Sequence, residues 1–424
     1  MNNRLTSLCV TVLSLGCVQV SSAADNPSAA AQAVNALGVE LMAKGTEANT
    51  NALLSPYSIQ SALAMTYAGA AGDTRSEMAK VLHYPADEPS LHQSFTALQK
   101  ALEAVAKSTA ERAANARKFG GAGEPVILTI ANRLFGQQGY EFRQPFLDVV
   151  KDAYGAPLQM MDFITKAPQE RLKINGWVED QTQKRIRDLI PQDGLTSDTR
   201  LVLVNAIYMK APWAEPFEVA TTQPQPFDVK GKESAKVPTM RRTGHLGYAK
   251  RDGYQVVTVP YTGSEIQLLV VLPDAKDGLA ELEAKLTPEI LGGCAKPGMA
   301  ELNLYLPKFK LEPPLFKMGE VLRKLGMQSA FDKPRGSANF DRMAPRKPDD
   351  YLYISEVFHK TFLALDEKGT EAAAATAVAM MRATSVMIDK PKPIEVRVDR
   401  PFLFAIQHAP SGACLFLGRV TDPR

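Results

Sequence analysis

The sequence predicts an α+β domain, on three observations. Val34, Leu37 and Leu41 recur at helical spacing, as do Ile174, Val178, Ile186 and Leu189. Leu201 to Met209 is a nearly continuous apolar run, which suits a strand buried on both faces. Ile394-Glu395-Val396-Arg397-Val398 alternates strictly between apolar and polar, the pattern of a half-buried strand.

In order along the chain, Ala29 to Lys44 is read as a helix with one apolar face. Ser55-Pro56 starts the next, because a serine hydroxyl accepts from otherwise unpaired amides and proline suits the first helical position. Thr74 or Asp73 is expected to cap a third helix running through Leu82. Gln169 to Ile190 reads as a longer amphipathic helix stopped by Pro191. Strands follow at Leu201 to Met209, Ile266 to Leu272, Glu301 to Leu306, Phe358 to Leu365 and Ile394 to Val398. Lys107 to Lys118 carries four basic residues against Glu111 and is flanked by Gly120, Gly121 and Gly123. We read it as a solvated insertion in preference to a polyanion site.

The chain has 424 residues, 45% of them hydrophobic and 22% charged, enough for a sizeable core, and nothing marks a linker between globular units. A formal charge of +3 is too small to argue for nucleic acid or a membrane surface. Residues 1–24 read as a signal peptide: Arg4 is the only charge, Leu8 to Val20 is largely apolar, and Ser22-Ala23-Ala24 supplies small residues for cleavage. The expected organisation is a signal at 1–24 and a single domain over 25–424, in a secreted, extracellular or periplasmic protein. Cys17 after Leu15-Gly16 raises a lipoprotein reading, against which Ser14 stands. Cleavage would leave Cys294 and Cys414, which could pair, although Cys414 reads better as a free buried thiol. No cysteine spacing suits a metal, and no cofactor is expected.

Asp366-Glu367-Lys368-Gly369-Thr370-Glu371-Ala372-Ala373-Ala374-Ala375-Thr376-Ala377-Val378 is built from residues that suit an exposed loop or a buried strand equally. As an inserted strand it would by parity turn Thr370, Ala372, Ala374, Thr376, Val378 and Met380 inward, and the outward set would include Glu371, which could remain in solvent. An alanine run is by itself more often a helix. Its flanks argue otherwise, since a strand precedes it, and a long connection without periodicity leads to another strand.

With these residues in view, the chain resembles the serpins over nearly all of its length. Glu367 to Thr376 is similar to the proximal hinge of inhibitory members, and Val398-Asp399-Arg400-Pro401-Phe402-Leu403-Phe404 to the C-terminal signature of the family. Asn51 to Ile59, Ile174 to Val178, Leu203 to Tyr208, Trp213, Leu304 to Phe309 and Leu415 to Val420 match in family order. The resemblance implies a large central mixed sheet, two further sheets, eight or nine helices and an exposed reactive loop at about 367–397. It also implies hinge residues Glu367, Gly369, Thr370, Ala372, Ala374 and Thr376. Ser55, Ser58, Asn205 and His359 match a polar shutter cluster, and Trp213, Lys308 and Glu367 match the breach, where insertion starts.

The implied function is irreversible suicide-substrate inhibition of serine proteases, with papain-like cysteine proteases as a further target class. The partner would be a protease held as a covalent acyl-enzyme by a monomeric inhibitor, without nucleic acid or membrane. In the family register the reactive bond is Ala383-Thr384, suiting a small specificity pocket; Arg382-Ala383, suiting a trypsin-like one, is the alternative. A non-inhibitory, chaperone-like or binding role remains the second class. No catalytic residue is expected, since the five histidines fall in no zinc helix and no Gly-x-Ser-x-Gly elbow occurs.

Overall fold

The computed structural model describes residues 28–121, 123–229, 233–371 and 392–424, without the side chains of Asn205 and Glu233. The chain begins with α1 (Ala29–Gly45), whose first turn is closed by the Ser28 hydroxyl accepting from the Ala31 N–H. After β1 (Ala52–Leu54), α2 (Pro56–Ala68) starts as the sequence dictates, with Ser55 accepting from the Ser58 N–H and Pro56 in the first turn. The third helix, α3 (Gly72–Val81), is not capped by Asp73 or Thr74. Thr74 instead lies inside it, and its hydroxyl accepts from the Asn339 N–H.

The basic Lys107 to Lys118 segment is solvated as expected, and it is the exposed end of a 31-residue helix, α4 (Glu88–Lys118), anchored by buried Thr109 and Ala113. Then come β2 (Ile127–Gln137), α5 (Gln144–Tyr154), β3 (Leu158–Met161) and α6 (Phe163–Gln181). The last begins six residues before the expected start, with Asp162 as cap, a kink at Lys166 and Pro168 inside. It also ends early, because Gln183 and Lys184 take left-handed backbone, so Ile186, Leu189 and Ile190 are buried from a loop.

Next follow β4 (Leu201–Pro212), β5 (Gln223–Val229), β6 (Glu233–Arg251), β7 (Tyr254–Pro260) and β8 (Ile266–Pro273). After α7 (Leu279–Lys285) and α8 (Pro288–Gly293) come β9 (Gly298–Pro307), β10 (Phe309–Leu311), β11 (Phe316–Lys317) and α9 (Gly319–Leu325). The strand expected from Phe358 to Leu365 is two pieces, β12 (Phe358–His359) and β13 (Leu363–Asp366). Last are β14 (Gly369–Thr370), β15 (Ile394–Arg397), β16 (Phe402–His408) and β17 (Ala413–Val420).

Among the described residues these strands form three sheets. The largest runs β1-β17-β16-β8-β7-β6-β9-β15, with β5 also on β6, and only the β15–β9 pairing is parallel. A six-stranded mixed sheet runs β10-β13-β14-β4-β2-β3, and β11 pairs β12. Every residue of β8, β16 and β17 is buried, which explains their largely apolar composition; Gln267, Gln407, His408 and Arg419 are the polar residues among them. Helices α1 and α2 lie against β17 and share its core. The buried Arg419 guanidinium is held there by Glu283 at 2.6 Å and by the Thr50 carbonyl at 2.7 Å. Cys294 and Cys414 are both buried and free.

Candidate functional site

The site is a seam in the six-stranded sheet. Its two sides, β4 and β13, are joined at one end by the two residues of β14, where Thr370 is paired with Leu365 and Ala211 and Gly369 with Asp366 and Pro212. Gly369 is required here: its φ is 148°, and a Cβ would run into the Ala211 carbonyl oxygen. The Thr370 side chain is buried, with its hydroxyl 2.6 Å from the hydroxyl of the fully buried Tyr261. Tyr261 stacks on Trp213 with ring centroids 4.4 Å apart.

Trp213 holds the β13–β14 turn from two directions. Its indole N–H donates to the Asp366 carbonyl at 2.9 Å, and its backbone N–H donates to the Lys368 carbonyl at 2.9 Å. Between those carbonyls, Glu367 accepts from Lys308 Nζ at 2.8 Å and from the Thr222 hydroxyl at 2.8 Å. Burial alone would raise the Glu367 carboxyl, but these two partners outweigh it and hold it below the ordinary carboxylate value. The structure thus gathers Trp213, Lys308, Glu367, Gly369 and Thr370, the described part of the expected breach and hinge. Tyr261 and Thr222 belong to the same cluster and gave no sign in the sequence, because only the fold brings them there.

Further along the seam His359 is buried, and its Nε2 accepts from the Ser55 N–H at 3.0 Å, so the ring proton sits on Nδ1. Burial lowers its pKa to about 4. Ser55 donates its hydroxyl proton to the Leu415 carbonyl at 2.7 Å and accepts from the Ser58 N–H at 3.3 Å. Ser55, Ser58 and His359 therefore come together as expected; the Asn205 side chain lies outside the described structure. The lower part of β4 pairs with β2 on one side and with no described strand on the other. A cavity of about 650 Å³ opens there, lined by residues including Ser58, Leu63, Leu201, Leu203, Tyr353 and His359.

Glu371, which by parity belongs to the outward set of an inserted strand, takes left-handed backbone at φ 53° in the intact chain, where its side chain is only 3% exposed and meets Arg185 at 3.2 Å. Ala372, Ala374, Thr376 and the bond residues Arg382, Ala383 and Thr384 lie outside the described residues.

The chain as a whole is similar to known proteins. A family model described as Serpin (serine protease inhibitor) matches residues 32–423. The chain is a serpin. It is 36% identical over 396 residues to a leukocyte elastase inhibitor of Bos taurus, covering 91% of this chain and 97% of that one. It is 34% identical to an uncharacterized serpin-like protein of Thermococcus kodakarensis, covering 92% and 85%. Among solved structures, cleaved Serpin 42Da superposes with a TM-score of 0.76 at 29% identity, covering 93% of this serpin and 98% of that chain. Uncleaved ovalbumin superposes with a TM-score of 0.75 at 29% identity, covering 93% and 99%. No described helix of this serpin is long and apolar enough to cross a membrane.

Proposed function

We propose that this serpin is an irreversible suicide-substrate inhibitor of serine proteases and has no catalytic activity of its own. The observation that carries the reading is β14: the sheet already accepts Gly369 and Thr370 between β13 and β4, and the residues that follow in sequence are small enough to continue the strand. A target protease attacks the carbonyl of Ala383, its serine oxygen forming an ester while the amine of Thr384 leaves with a proton. The freed arm then extends β14 down the seam before water can hydrolyse the ester, and a new strand gains a full ladder of backbone hydrogen bonds. Such insertion is a form of strand addition, in which main-chain hydrogen bonds supply the gain. Trp213, Lys308 and Glu367 act as the breach where the strand starts. Ser55, Ser58, Asn205 and His359 act as the shutter that holds the seam and re-forms around it.

The small residue at 383 and the resemblance to leukocyte elastase inhibitors favour an elastase-like target. The sequence of 1–24, read as a leader, supports export, and 25–424 is taken to act as a single domain and a monomer. Mixing the protein with elastase and with trypsin tests the reading. A denaturation-resistant complex with elastase and a released fragment beginning at Thr384 are expected. A fragment beginning at Ala383, formed with trypsin and lost in Arg382→Ala, would move the bond by one residue. Cleavage without any complex would leave the non-inhibitory role.

A further inference from the structure

Glu371 is the residue at which β14 stops, and three observations converge on it. Its backbone is left-handed at φ 53°, a conformation that is uncommon outside glycine and asparagine and cannot continue a strand. Its N–H donates to the Ala364 carbonyl at 3.0 Å, the last contact of the hinge with the β13 side. Its carboxylate, almost wholly buried, accepts from Arg185 Nε at 3.2 Å. Arg185 comes from the connection between α6 and β4, so it belongs to the other side of the seam. Its guanidinium also lies over the Phe362 ring, 5.0 Å from the centroid, in the segment leading into β13. One side chain therefore bridges both sides of the seam and the hinge.

We propose that Arg185 is a positioning residue for the hinge: by gripping Glu371 it stops β14 at two residues in the intact protein and sets the rate at which the strand can lengthen. Lengthening requires Glu371 to move from left-handed to extended backbone; by the β14–β4 register its side chain stays on the face it already shares with Tyr208 and Lys210, opposite Thr370. The contact that Arg185 makes with the left-handed residue must give way before the backbone can extend. Tyr208 and Lys210 of β4 face the same carboxylate, but neither reaches across the seam as Arg185 does. The grip thus opposes strand growth in the resting state and is absent from the inserted state.

This inference rests on the inhibitory reading, so its test must separate the two. The full chain carrying Trp177→Phe, which leaves Trp213 as the only tryptophan, is incubated with a synthetic peptide of the sequence 372–382. Uptake of the peptide into the seam is followed by Trp213 fluorescence. Uptake about fivefold faster is expected in Arg185→Ala and in Glu371→Gln, the size of effect an ion pair with one solvated partner supports. Arg185→Lys should restore the slow rate. Equal rates in all four proteins, or acceleration in Arg185→Lys as large as in Arg185→Ala, would overturn the proposal. So would a drop in the unfolding midpoint of the peptide-bound form as large as that of the free form, since the grip would then be ordinary support. Failure of the parent protein to take up peptide at all would sink the insertion reading itself and this inference with it.

Discussion

Replacing Thr370 by arginine should convert this serpin from an inhibitor into a substrate. Thr370 is buried in the intact protein, its hydroxyl 2.6 Å from Tyr261 beneath the Trp213 ring. The side chain at 370 meets the Tyr261 hydroxyl rather than a carboxylate, and burying an unpaired charge there costs several kcal/mol even after relaxation. Against this stand only the ladder contacts of a two-residue strand, at about 1 kcal/mol net per hydrogen bond. The strand should therefore leave the sheet, and every later insertion must begin by driving the arginine in. A penalty of about 3 kcal/mol slows that step by about a hundredfold, so hydrolysis of the ester should win. The assay is titration against elastase with denaturing electrophoresis: cleaved inhibitor and free enzyme are expected, with no stable complex. Thr370→Val, which keeps the shape, should still trap. A wild-type yield of complex from Thr370→Arg would refute the reasoning.

Two further outcomes follow from the polar clusters. Since burial lowers His359 to about 4 from an ordinary value of 6.5, the unfolded chain takes up its proton first as pH falls. The contribution of His359 to stability is complete above pH 6.5 and is lost between 6.5 and 4, by about 3 kcal/mol. His408 is lowered to about 4 as well, so the comparison is wild type against His359→Gln across that window, and parallel stability profiles would contradict the assignment. At the other end of the seam, Lys308→Met should cost about 1–3 kcal/mol by leaving the buried Glu367 carboxylate without its cation, held by Thr222 and a backbone N–H. Urea unfolding of Lys308→Met/Glu367→Gln should recover most of that loss, and a double variant no better than the single would speak against the pair.

The parts of the seam legible in the sequence were those fixed by local chemistry. Ser55-Pro56 announces a helix start wherever it falls, and the small residues after Glu367 announce a segment able to enter a sheet. The buried runs of β8 and β17 follow from length and apolar content, whereas Leu201, Val202 and Leu203 of β4, expected to be buried on both faces, are only half-buried because they line the cavity. What escaped was set by backbone turns that no side-chain pattern marks. The left-handed residues Gln183 and Lys184 cut α6 short and placed Arg185 at the seam, and Glu371 takes left-handed backbone at the end of β14 by the same device. Thr74 was misread because a hydroxyl able to cap a helix served equally well to accept from Asn339, a partner 265 positions away. Tyr261 and Thr222 were invisible for a related reason: their roles exist only once β4 and the loops beside it have converged on the β13–β14 turn.

The placement of β16 and β17 bears on what remains after the loop is cut. Both strands lie downstream of the bond, yet β16 is paired on both sides, with β8 and β17, and β17 in turn carries β1. Their side chains complete the core beneath α1 and α2. Severing one peptide bond therefore makes a two-chain protein whose shorter chain stays lodged in the interior of the longer one, without any covalent tie. The nicked molecule should travel as a single particle on a sizing column. The short chain should come away only when the whole core is dissolved.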